Sequence, residues 1–123
     1  DIAPIPFEQK HLHMARDLKS AGLAWKPHVG CFVWDPEELI EVQSPFPLRV
    51  YFILSLPRFL AIFSSIEAIA EKLVWVPTWH QARLLAGRLG VTEEKIIGFW
   101  TPESASIPGD ELVRLYQLIM EAL

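Results

Sequence analysis

Cysteine is almost missing from this sequence. With Cys31 as the one thiol in 123 residues, no intrachain disulfide can form, which excludes the small secreted folds that rely on such staples. Positive charge is also in short supply. Eleven Lys and Arg face fifteen Asp and Glu, a formal net charge of -4, so the mean field of the chain repels nucleic acid and anionic membrane instead of drawing them in. No long apolar run is present either. The most apolar stretch, Val50 to Ala70, is interrupted by Pro57, Arg58 and Glu67, whereas a spanning helix needs about twenty uninterrupted apolar residues. The first residues, Asp1-Ile2-Ala3-Pro4-Ile5-Pro6, lack the basic start and apolar core of a secretory leader. A soluble protein of a reducing cytoplasm is the expectation.

Motif chemistry is equally sparse. The six glycines are scattered, without the spacing of a dinucleotide-binding or phosphate-binding loop, and no Gly-x-Ser-x-Gly nucleophile turn occurs. No cofactor is expected. His28 and Cys31 lie three apart around Gly30, and both residue types bind zinc or copper, but a structural zinc site normally needs four ligands and no second cysteine exists. No metal site is expected. His11 and His13 fall on nearly opposite sides of a helix and cannot share an ion; His11 lies on an apolar stripe and His13 on a solvent face. Asp35, Glu37, Glu38 and Glu41 form an acidic cluster that reads as a solvated turn.

Apolar residues make up 51% of the chain, enough for a substantial core with apolar surface left for a partner. Phe7, His11, Met14, Leu18 and Ala21 recur at helical spacing and predict a helix over 7–21, stopped by Gly22. Gly30 to Trp34 alternates like a half-buried strand, closed by Asp35-Pro36. Glu37 to Val42 reads as one helical turn. Val50 to Leu54 is β-branched and aromatic, as a central strand is. From Pro57 to Ala70 the period is helical, and Ser64 with Glu67 reads as a capping box that divides the stretch into two short helices. Leu73 to Val76 predicts a third strand. Thr78 with Gln81 is a second capping box and starts a helix to about Leu89; Thr92, Glu93 and Glu94 start another to about Trp100, a loop follows over 101–109, and Asp110 caps a last helix. The expected fold is α+β: one domain over 1–123, with a small, about three-stranded, mainly antiparallel sheet packed against four to six helices.

Within this frame, Ala86, Gly90 and Ile96, with Leu85, Leu89 and Val91 as apolar neighbours, give Gln81 to Trp100 the pattern of two helices closed by a glycine turn. The segment resembles a helix-turn-helix unit. That resemblance implies a DNA-binding regulator, with Arg83, Arg88, Thr92 and Lys95 as the contacting residues. Glu93 and Glu94 depart from the pattern, since they would face phosphates. A broader likeness lies in Ala21-Gly22-Leu23-Ala24-Trp25 and Val74-Trp75-Val76-Pro77-Thr78, which look similar to small conserved bacterial proteins of unassigned function.

The five tryptophans are the least ordinary feature. Trp25, Trp34, Trp75 and Trp79 sit near element ends, and with His80 they read as a candidate binding groove. The expectation is therefore a small binding or interaction module, self-associating or taking a protein partner through an apolar or aromatic surface. The alternatives are the DNA-binding regulator and a small enzyme that uses His28, Cys31 and His80.

Overall fold

The computed structural model describes residues 5–98 and 110–123. The expected loop over 101–109 and the expected end of the preceding helix at Trp100 lie outside them. The element order is α1 (Gln9–Ser20), β1 (Phe32–Trp34), β2 (Val50–Phe52), α2 (Leu56–Phe63), α3 (Ile66–Lys72), β3 (Val74–Trp75), α4 (Trp79–Arg88), α5 (Glu93–Gly98) and α6 (Asp110–Ala122). The fold class is α+β, as expected. Where the sequence shows no linker, the fold nevertheless gathers into two compact units: Ala24–Val76 forms the first, and Pro6–Leu23 with Pro77–Leu123 the second.

The first unit holds the sheet, in the order β2-β1-β3 with both pairings antiparallel. Alternation along β1 sends Cys31 and Val33 to one face, where they join Ile40, Tyr51, Ile53, Phe59, Ile69 and Leu73 in a core that α2 and α3 help to close. Such burial is the main force holding a unit of this size together, at about 25 cal/mol for each Å² of apolar surface removed from water. Phe32 and Trp34 take the opposite face. There Phe32 packs on Phe52 and Phe46, with ring centres 4.8 and 5.9 Å apart.

Two local readings of this unit are corrected. Glu37 to Val42 forms no helical turn, because the Asp35 carboxylate captures the main-chain N–H groups of Leu39 and Ile40, at 3.0 and 2.9 Å. Those donors are held in a turn and are lost to a helix. The division between α2 and α3 occurs where expected, but Ser64 is not the cap. Ser64 ends α2 in the left-handed region, at φ 78°, and Ser65 caps α3 by accepting from Ala68 N–H.

The second unit is helical. Thr78 and Gln81 form the expected reciprocal capping box of α4. Ala82 and Ala86 are fully buried on α4, and such small side chains allow close helix approach; α6, with Leu112, Leu115, Tyr116, Leu118 and Ile119 buried, packs against both α4 and α1. His11 is also fully buried, its Nδ1 accepting from Glu8 N–H at 2.9 Å. An accepting Nδ1 makes the ring the neutral tautomer that carries its proton on Nε2. Its ring meets Phe7 and Tyr116 edge-on, at 6.3 and 6.4 Å, while His13 is exposed as expected.

Tyr116 ties α6 to the residue before α4's cap. Its buried hydroxyl donates to the Pro77 carbonyl, and burial pushes the phenol well above its ordinary pKa. Tyr116→Phe is expected to cost about 1–2 kcal/mol in denaturant unfolding, since the Pro77 carbonyl loses a buried donor. The folded pKa is raised, so this residue's contribution is complete below about pH 10, where an unfolded tyrosine ionises, and falls as the pH rises further. Stability of the wild type should therefore drop above about pH 10, with a shallower drop for Tyr116→Phe in the same unfolding series.

Candidate functional site

Of the five groove residues expected from sequence, Trp25, Trp34 and Trp75 belong to the first unit, and Trp79 and His80 to the second. Trp25 and Trp75 stack, with ring centres 6.0 Å apart and planes 17° from parallel, and both are half-buried against the sheet core. The indole N–H of Trp25 is buried without an acceptor among the described residues. Trp34 is buried on the other face of the sheet. It cannot line a surface with Trp25 and Trp75, because one residue along a strand reverses the side chain. Trp79 and His80 are exposed in the first turn of α4, with the Arg83 guanidinium over the Trp79 ring. Trp100 lies outside the described residues.

The residues read for DNA contact divide as follows. Arg83 pairs with Glu93, at 3.1 and 3.2 Å; Arg88, Thr92 and Lys95 are exposed. The glycine turn has Gly90 at φ 84°, between the buried Ala86 and Ile96. A guanidinium engaged by a carboxylate offers less to a phosphate, and Glu93 and Glu94 place two negative charges in the first turn of α5.

His28 and Cys31 do come together, with Sγ 3.4 Å from Nδ1. Yet Nδ1–H of His28 is directed at the Lys26 carbonyl, at 2.9 Å, and a carbonyl can only accept. Nδ1 therefore carries the proton, and Nε2, 3.7 Å from Sγ, is the ring nitrogen left to accept. Burial also pushes the Cys31 pKa up, which disfavours the thiolate that nucleophilic chemistry needs. Among the described residues, no group of three or more His, Cys, Asp or Glu side chains could hold a metal ion. Iodoacetamide at pH 8 should alkylate Cys31 at least about tenfold more slowly than a free thiol, with full reactivity in denaturant, as followed by mass spectrometry.

The acidic cluster also separates. Glu37, Glu38 and Glu41 are exposed, but Asp35 is fully buried, which corrects the reading of a solvated turn. Its carboxylate accepts from Arg49 Nη2 at 2.6 Å in addition to the two main-chain donors. The same Arg49 nitrogen donates to the Ile40 carbonyl, at 2.7 Å, and the carboxylate raises the Arg49 pKa further. Leu48 and Arg49 are both left-handed, at φ 63° and 61°, a conformation that costs a non-glycine residue about 1–2 kcal/mol. The Arg49 contacts hold the chain there. Tyr51 adds a bond from its hydroxyl to the Val42 carbonyl, at 2.6 Å.

This network shapes one side of a groove of about 650 Å³ in the first unit. Ile40, Val42, Gln43, Pro45 and Phe46 line it from the loop, Tyr51, Phe52 and Leu54 from β2 and its end, and Ser55, Arg58, Phe59 and Ile62 from α2. Its walls are mainly apolar, and among the described residues that line it Arg58 is the one charge. Val42, Leu54 and Ile62 are 70%, 76% and 45% exposed, so large apolar side chains stand in water around an open groove. Sequence reasoning missed this site because it followed the tryptophans, none of which lines it. The available signal was the exposed position of Leu54, one residue past a buried strand, which alternation alone places opposite Ile53.

Asp35→Ala should lower stability by about 3 kcal/mol, toward the low end for a broken buried pair because Arg49 is partly open to water. Glu37→Ala should stay within about 0.5 kcal/mol. Hydrogen exchange should show faster amides in Gln43 to Phe46 in the first variant and not in the second. Comparison of the chain with protein-family models, with curated proteins and with solved structures finds no match.

Proposed function

We propose that this chain is an interaction module that self-associates through the groove between the 40–46 loop, β2 and α2. The observation that carries this reading is the gathering of exposed Val42, Leu54 and Ile62 around one apolar groove. Isolated exposed apolar residues are ordinary on protein surfaces, whereas a contiguous group next to a concave apolar wall is a feature of interaction sites. Covering it removes apolar area from water, and among the described residues of its walls Arg58 is the one charge to desolvate. A pocket enclosed enough for a small molecule would hide such side chains; here they stand at the rim, where a second surface can reach them.

The alternatives draw less support. The DNA-binding reading loses Arg83 to Glu93, and the enzyme reading rests on a buried thiol that burial holds in its protonated form. Sedimentation equilibrium over a wide concentration range tests the proposal. The wild type should form a concentration-dependent dimer, and Leu54→Lys should weaken it at least about tenfold, the equivalent of about 1.4 kcal/mol. At concentrations where both proteins are monomeric its unfolding midpoint should barely change, since Leu54 is largely exposed. A wild type that stays monomeric at millimolar concentration, or a Leu54→Lys variant that associates equally well, overturns the reading.

A further inference from the structure

The groove lies across the outer edge of β2, as its lining shows. Tyr51 and Phe59 come from the core face of the sheet and Phe46 and Phe52 from the other. One groove touches both only by crossing the strand's edge.

The polarity of that edge follows from the hydrogen bonds on its inner side. Ile53 N–H donates to the Cys31 carbonyl at one end of the β1–β2 ladder, and Asp35 N–H to the Arg49 carbonyl at the other. Bonded and non-bonded pairs alternate in an antiparallel ladder, so Val33 and Tyr51 form the bonded pair between them. The main-chain groups of Val50 and Phe52 then point away from β1. Those of Val50 are already occupied: its N–H donates to the Pro47 carbonyl, at 3.3 Å, and its carbonyl accepts from the Ser44 hydroxyl. Those of Phe52 meet no partner among the described residues. The loop thus closes one half of the edge and leaves one donor and one acceptor, both on Phe52, open in an apolar groove.

A single outward donor and acceptor on one residue is self-complementary about a two-fold axis. We infer that two copies of this chain pair edge to edge through β2, antiparallel about Phe52, each Phe52 N–H donating to the other's Phe52 carbonyl, so that the two three-stranded sheets become one. The inference rests on the self-association proposed above and names its geometry. Antiparallel pairing also sets which surfaces meet: residues after Phe52 in one copy lie beside residues before it in the other. The exposed Leu54 then packs on the second copy's Pro45 and Phe46, and Arg58 of α2 faces the loop that carries the exposed Glu41. Opposite charges therefore oppose each other twice across the axis. Because the loop blocks Val50, strand addition stops after one bonded pair, which favours a closed dimer over an extending array.

Proline discriminates this geometry from simple apolar contact, since an outward N–H on an edge strand can be removed without breaking the inner ladder. Phe52→Ala and Phe52→Pro both remove the ring that packs on Phe32, but only the second removes the donor. With folding of both variants checked by circular dichroism, the dimer of Phe52→Pro should be at least about tenfold weaker than that of Phe52→Ala. Equal association of the two overturns strand pairing. If that occurs while Leu54→Lys still weakens the dimer, self-association through the groove stands and its edge-to-edge form falls; a monomeric wild type removes both. A charge exchange gives a second reading that does not depend on proline. Arg58→Glu and Glu41→Arg should each weaken the dimer severalfold and the double variant should restore it, whereas additive losses in the double variant count against the antiparallel arrangement.

Discussion

A buried carboxylate cannot be left alone in an apolar interior, and the first unit is arranged around that constraint. Asp35 follows β1 directly and has no contact with water. It is balanced by two main-chain donors and by Arg49, fourteen residues later at the entrance to β2. Meeting that demand bends the chain after β1, holds Leu48 and Arg49 in the left-handed region and returns the loop along the edge of β2. A buried ion pair of this kind is better viewed as a device that selects one arrangement than as a large net gain in stability, because desolvation offsets much of the attraction. Its structural yield is a loop with one geometry.

The groove depends on that loop. Ser44 and Pro47 can reach Val50 only because the segment before β2 is turned back on the strand, and Tyr51 fastens the same segment from the core side through Val42. The strand edge is consequently divided, with Val50 satisfied and Phe52 open. Edges of this kind are usually protected by charge, bulges or covering segments. Here protection is half complete, and the unprotected half is the half bordered by exposed apolar side chains. The proposed dimer completes the protection with a second copy.

Much of the fold was legible because it depends on local physics. The period of apolar residues marked the helices and strands, and the Thr78–Gln81 capping box marked the start of α4 through atoms only three residues apart. Errors arose where a distant group competed with local preference. Glu37 to Val42 has the composition of a helical turn, but the Asp35 carboxylate takes its donors. Ser64 has the spacing of a cap, yet the chain reverses there in a left-handed conformation and leaves the role to Ser65. The tryptophans drew attention as large amphipathic rings; strand alternation separates Trp34 from Trp25 and Trp75, and no composition argument reveals which face a ring takes.

The sequence by itself determined the class of fold, the lack of a disulfide framework and the positions of most elements, because composition, periodicity and capping act within a few residues. It also placed His11 on an apolar stripe, on the opposite side of the helix from His13. Only the tertiary structure decided that Asp35 is buried while its acidic neighbours are exposed, that the thiol of Cys31 sits beside a nitrogen already donating to Lys26, and that the open surface is the β2 edge. Each of these depends on which groups meet across the fold. A strand's outward hydrogen-bonding groups, in particular, are defined by the register of its partner, and register belongs to the pair of strands and not to either one alone.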